Sequence, residues 1–148
     1  MVKSRSLETK LPPTHDLRLL TRARVREASA LLDAGEWSGA YYLVGYAVEC
    51  GLKACISKSF KGYAFPDPAV AKGMFTHSFI ELVRHANLEV QLRADMDSDR
   101  KFAVQWALAK DWKETSRYAM WRETDAREMY NAITMPRHGV LRWVKKQW

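Results

Sequence analysis

From Trp37 to Ile56 the chain places Ala40, Tyr41, Leu43, Val44, Ala47, Val48, Leu52 and Ile56 at positions that fall on nearly every side of a helix. A helix that is apolar all round cannot lie on a surface, so this segment predicts the centre of a bundle. Gly39, Gly45 and Gly51, with Ala40, Ala47 and Ala54, run through the same stretch. Each glycine lowers helix propensity by up to ~1 kcal/mol, and its use there is to let a neighbouring helix come close. Elsewhere apolar residues recur every three or four positions with little alternation of two, which predicts an all-α chain.

Leu17, Leu20, Ala28, Leu31 and Leu32 set out a first helix over about 15–34, with Thr14 or Asp16 as its N-cap and Gly35 just past its last turn. Thr76 is expected to cap a helix carrying Phe79, Ile80, Leu82 and Val83 up to about Asn87. Its start, Thr76-His77-Ser78-Phe79, echoes Thr14-His15-Asp16-Leu17, and two copies 62 positions apart read as two similar helix starts rather than a repeat. After an acidic patch of Asp95, Asp97 and Asp99, a shorter segment from Asp97 or Ser98 holds Phe102, Val104, Trp106 and Leu108 and reads as helical despite its mixed period. Trp112 to Tyr118 reads as a loop. Ala126, Met129, Tyr130 and Ile133 give another helix that Pro136 ends, and Gly139 to Trp148 forms a final short one with Val140, Val144 and Trp148 on one side. Residues 1–13, with Lys3, Arg5 and Lys10 before Pro12-Pro13, predict a flexible basic N-terminal arm, and residues 14–148 a single helical domain. Gly62, Pro66, Pro68 and Gly73 break residues 60–75 into a connection long enough to bear on function.

Composition narrows the function classes. The 148 residues carry 24 Lys plus Arg against 17 Asp plus Glu, a net charge of +7, which is compatible with nucleic acid without specifying it. No run approaches the ~20 apolar residues of a membrane-spanning helix, and Met1 to Lys10 lacks the apolar middle of a secretory signal, so a cytoplasmic address and no membrane partner are expected. Cys50 and Cys55 read as reduced core residues, and the four histidines show no paired ligand spacing, so neither a metal nor another cofactor is expected. Phosphate-binding glycine loops, dinucleotide fingerprints, nucleophile elbows and zinc-protease helix motifs are all missing, which leaves the catalytic residues unknown.

Two groups of residues are candidates for chemistry. Glu49 and Lys53 stand four apart in the apolar helix, and Tyr42 and Tyr46 continue their stripe. A buried carboxylate needs a cation, and Arg117, in an aromatic setting beside Tyr118, is the expected partner. The group reads either as an architectural ion pair or as a ligand-contacting pocket. The second group is the basic strip Arg137, His138, Arg142, Lys145 and Lys146, where cations can neutralise phosphates and Trp143 or Trp148 could stack on unpaired bases. Its other reading is the solvated face of a terminal helix with its tryptophans in the core. His77, at a helix start, is expected to make a surface hydrogen bond.

Ala30-Leu31-Leu32, Trp37-Ser38-Gly39-Ala40-Tyr41-Tyr42 and Gly45-Tyr46-Ala47-Val48-Glu49-Cys50-Gly51-Leu52-Lys53-Ala54 together resemble the first two helices of the HEPN (higher eukaryotes and prokaryotes nucleotide-binding) family. Thr76-His77-Ser78-Phe79 with Leu82, Trp112 with Arg117-Tyr118, and Gly139-Val140-Leu141-Arg142-Trp143-Val144-Lys145 resemble its later segments, so that the resemblance spans about Asp16 to Trp148. It implies an up-and-down bundle of four to five helices, frequently a homodimer, that binds nucleotide or RNA and pairs with a minimal nucleotidyltransferase in a toxin–antitoxin or defence system. Glu49, Lys53, Arg117 and Tyr118 are then pocket or packing residues. Nucleases of the family carry Arg, four to six residues, then His on a late helix. Here Arg127 precedes His138 by eleven positions and Arg137 adjoins it, so no catalytic role transfers. The readings left open are a noncatalytic binding module, an RNase toxin with an irregular Arg/His site, and a structural dimerisation module.

Overall fold

A computed structural model of the chain describes residues 13–59 and 74–148. The expected N-terminal arm, apart from Pro13, and the 60–75 connection, apart from Met74 and Phe75, lie outside the described residues. Seven α-helices are present among those described: α1 (Thr14–Asp33), α2 (Trp37–Lys58), α3 (Phe79–His85), α4 (Glu89–Ser98), α5 (Arg100–Ala109), α6 (Glu123–Thr134) and α7 (Val140–Gln147), with a 3-10 segment at Glu114–Tyr118 and no strand. The bundle is all-α, as the apolar spacing predicts. The helix number exceeds four or five because the middle of the chain is divided into three short helices rather than one or two.

The central position of α2 follows from its burial. Thirteen of its residues are buried, too many for a single face, and α1, α3, α6, α7 and the 3-10 segment all pack against it. Its glycines do what their spacing suggests. A Cβ on Gly45 would sit 2.1 Å from Trp112 Nε1, and one on Gly51 2.9 Å from a Val144 methyl, so at both positions a side chain of α2 is replaced by one from elsewhere. Cys50 and Cys55 are free and buried. Burial, reinforced by Glu49, pushes the Cys50 thiol up to about 11, and burial pushes Cys55 up to about 12. Neither is a thiolate near neutral pH, so neither is a nucleophile.

Helix ends differ from the expectation at their starts and agree at their stops. Gly35 adopts φ +76°, and Glu36 N–H donates to the Leu31 carbonyl at 2.8 Å while Gly35 N–H donates to Leu32 at 3.1 Å, the paired closure that needs a left-handed residue. At the N-terminus of α1, Pro13 occupies the cap without a side-chain bond. Thr14 instead donates its hydroxyl to Ser57 Oγ at 2.8 Å, because a buried hydroxyl facing α2 finds its partner there. Ser78, not Thr76, caps α3 by accepting from Glu81 N–H, while Thr76 Oγ1, two residues earlier, accepts from Ser78 N–H. In α5, Phe102, Trp106 and Ala109 are buried whereas Val104 and Leu108 are exposed, which resolves the mixed period in favour of a helix.

Candidate functional site

The stripe Tyr42, Tyr46, Glu49, Lys53 forms as its spacing dictates, and Glu49 lies inside the bundle at 2% exposure. Its counter-charges are not the expected ones. Lys53 Nζ donates to Glu49 Oε1 at 2.7 Å, and His77 Nδ1 meets the same oxygen at 2.9 Å. Lys53 reaches back one turn along the same helix, and the loop before α3 lays His77 over the carboxylate. Arg117 stays exposed on the 3-10 segment with its guanidinium 4.9 Å from the Tyr118 ring centre, its charged form favoured by Tyr118 and then by Tyr42. The reason is geometric: a 3-10 turn directs Arg117 and Tyr118 outward, and Trp112 fills the space next to α2. Trp112 stacks between Phe79 and Tyr42 with centroid distances of 5.4 and 5.8 Å. The expected Glu49–Arg117 pairing is therefore replaced by a Lys53–Glu49–His77 group. Tyr46 beside it is pushed up to about 12, first by burial and then by Cys50 and Glu49, and stays a neutral phenol.

The second group forms around the turn between α6 and α7. Gly139 permits that turn: its Cβ would lie 2.4 Å from the Met135 carbonyl oxygen, which any side chain would strike. The turn sets His138 against the junction of α4 and α5, where His138 Nδ1 meets Asp99 Oδ2 at 2.7 Å. Asp99 also caps α5, accepting from Phe102 N–H at 3.0 Å. The His138 bond, then the Phe102 bond, hold its carboxyl below the usual carboxylate range. One turn earlier on α4, Asp95 Oδ2 accepts from Trp143 Nε1 at 2.7 Å. Arg142 donates from Nη1 to the Arg137 carbonyl at 2.8 Å. Asp95, Ser98, Asp99, Arg137, Arg142 and Lys146 line a cleft of ≈110 Å³. The acidic patch and the basic strip of the sequence are thus two walls of one feature.

The tryptophans of the strip are committed to packing. Trp143 is buried beside Phe102 and Trp106, and Trp148 lies beneath the guanidinium groups of Arg18 and Arg22 at 5.6 and 5.4 Å. The structure brings Arg137, His138 and Arg142 together, brings Glu49 and Lys53 together elsewhere, and leaves Arg117 with Tyr118 as a third, exposed pair. His77, expected to make a surface hydrogen bond, instead meets the buried Glu49, and Asp99, seen only as part of an acidic patch, meets His138; these two partnerships are what sequence reasoning missed. They span 28 and 39 positions respectively, a separation that no periodicity reports. Among the described residues no three His, Cys, Asp or Glu side chains group in a way that could hold a metal ion, and no helix is long and apolar enough to cross a membrane.

Asp99 and Asp125 give the molecule an acid-sensitive component. Asp125 is held below the usual range first by the Arg122 side chain and then by its backbone N–H. A depressed folded-state value means stability that is complete above the unfolded value of about 3.9 and is lost as pH falls through the folded one. Urea midpoints of the wild type are expected to fall below about pH 4. Asp99→Asn should flatten that dependence while keeping the cap, since Asn accepts from Phe102 N–H equally well. An unchanged pH slope in the variant would remove Asp99 from the account.

Set against protein-family models, curated proteins and solved structures, the chain matches none.

Proposed function

We propose that this chain is a HEPN-type helical module that binds the phosphates of a nucleotide or RNA, acts as a homodimer, and works beside a minimal nucleotidyltransferase in a toxin–antitoxin or defence pair. One observation carries the binding reading: Arg137, Arg142 and Lys146 collect at the cleft between α7 and the α4–α5 junction. Three cations around a small cleft whose carboxylates, Asp95 and Asp99, are already paired with Trp143 and His138 suit an oxyanion, which Arg holds by paired N–H donors. Because Trp143 and Trp148 are occupied in packing, stacking on bases contributes little and the binding is led by phosphate, tolerant of sequence and steep in salt.

Mobility-shift titrations with single-stranded RNA at two salt concentrations test this. Binding is expected at low salt and should weaken as salt rises. Arg137→Ala and Lys146→Ala should each reduce the slope of log affinity against log salt by about 0.7, the contribution of one contact to a single strand. No shift at low salt, or variants that keep the full slope, would end the reading.

A second reading, an RNase with an irregular site, is favoured by the placement of His138. Its Nδ1 is held by Asp99, while Nε2 makes no hydrogen bond among the described residues and is not among the buried unpartnered atoms, so it is not sealed from solvent. Cleavage of RNA in the presence of a chelator, abolished in His138→Ala, would support it.

A further inference from the structure

We infer that the outer face of α1 is the surface on which two copies of this chain meet, as an antiparallel helix pair in which Asp16 of each copy faces Arg26 of the other. This rests on the homodimer reading above and adds to it a surface and a register.

α1 turns Leu17, Thr21, Ala28 and Leu32 inward, buried against the bundle. At 3.6 residues per turn, Asp16, Leu19, Ala23 and Arg26 fall on the opposite side. A helix at the edge of a bundle normally carries polar side chains there. This one carries Leu19 at 49% exposure, with Leu20 half-buried beside it and the small Ala23 one turn on. A hollow of ≈480 Å³ along this face is lined by α1 alone, from Asp16 to Arg26, so among the described residues no other element covers it.

The charges choose the occupant. Asp16 and Arg26 are exposed and make no ion pair among the described residues, unlike Arg24, which meets Glu27 at 3.0 Å. They stand at the two ends of the apolar patch, about 15 Å apart along the helix axis at 1.5 Å per residue. A second α1 laid antiparallel, with the two-fold axis at the level of Thr21, sets Asp16 opposite Arg26 twice and Leu19 opposite Ala23 twice. The short alanine leaves the room that the leucine fills. Leu20 then meets the apolar stem of Arg22, whose guanidinium is held over the Trp148 ring at 5.4 Å. A parallel copy would instead set like charge on like charge. Self-complementarity is what a two-fold contact requires, since one patch must serve as its own partner. A single helix crossing is smaller than a standard interface, so the association is weak, and its exposed ion pairs make it weaker as salt rises.

Sedimentation equilibrium of the full chain over a range of concentrations reads the dimer, using Asp16→Arg, Arg26→Asp and the variant carrying both. The wild type should dimerise. Each single reversal puts like charges at both ends of the contact and should raise the dissociation constant on the order of 10-fold at low salt. The double variant restores both pairs with their signs exchanged and should return to within about 3-fold of the wild type. An equimolar mixture of the two single variants should do the same, because each matches the other although neither matches itself. Both positions face away from the core, so far-ultraviolet circular dichroism should be unchanged in every variant, which separates loss of pairing from loss of folding. A wild type that stays monomeric at every concentration ends the homodimer reading and the inference with it. If the wild type dimerises and either reversal dimerises equally well, the homodimer reading stands and α1 is overturned as its surface. Reversals that weaken the dimer but are rescued neither by the double variant nor by the mixture overturn the meeting of Asp16 with Arg26, and the inference fails.

Discussion

Replacing Trp112 by Ala is expected to destabilise the fold by about 3–5 kcal/mol, the range for deleting a large aromatic from a packed core. Trp112 is 2% exposed, stacked between Phe79 and Tyr42, and its indole edge occupies the notch at Gly45. Its removal therefore separates α3 from α2 and leaves a cavity that helix backbones cannot close. The notch makes a sharper version of the test. In the wild type, Gly45→Ala places a methyl 2.1 Å from Trp112 Nε1, and overpacking of this kind destabilises by about 1–3 kcal/mol even after the helix gains up to ~1 kcal/mol from losing a glycine. In the Trp112→Ala background the clash is gone and the same substitution should be stabilising. Urea denaturation of the four proteins reads the cycle. Simple additivity would mean that Trp112 and Gly45 do not meet.

Lys53→Met should cost nearly as much, about 3 kcal/mol, by leaving Glu49 buried with His77 as its remaining donor. The argument is about asymmetry rather than about the worth of the ion pair. Both charges gave up hydration to enter the bundle, Glu49 to 2% side-chain exposure and Lys53 to 14%, so their attraction largely offsets what burial took away. Remove one partner and the penalty on the other remains. The double variant Glu49→Met with Lys53→Met removes both, and should return to within about 1 kcal/mol of the wild type or exceed it. Equal losses in the single and double variants would mean that Glu49 is held by something other than its charge partners.

How far the sequence reached follows from which signals are local. α1 and α2 were legible because a stripe and an all-round apolar helix each repeat a pattern over many turns, and Gly35 marks the stop between them. α4 was not, since Leu92 is its only buried residue and Asp95 and Asp97 dominate its composition, which leaves no stripe to read. Caps misled at Thr14 and Thr76 because each hydroxyl is taken by a side chain, Thr14 by Ser57 and Thr76 by Glu81, which the order of residues does not report. A charge in an oily helix told that Glu49 must have a partner, and the four-residue step to Lys53 was visible. The aromatic surroundings of Arg117 pointed outside the core instead. His77 and Asp99 became partners of Glu49 and His138 only through tertiary placement of two loops, and spacing along the chain holds no trace of that.

The bonds from Asp95 to Trp143 and from Asp99 to His138 join segments 48 and 39 positions apart. During synthesis, therefore, a chain emerging from the ribosome can complete α1 and α2 as a hairpin while the cleft has only one of its walls. Loops of that length close after local helices have formed. The surface where acid and base meet is thus assembled after the α1–α2 hairpin, and a chain that has emerged only as far as α5 presents the acidic wall to the cell without the basic one.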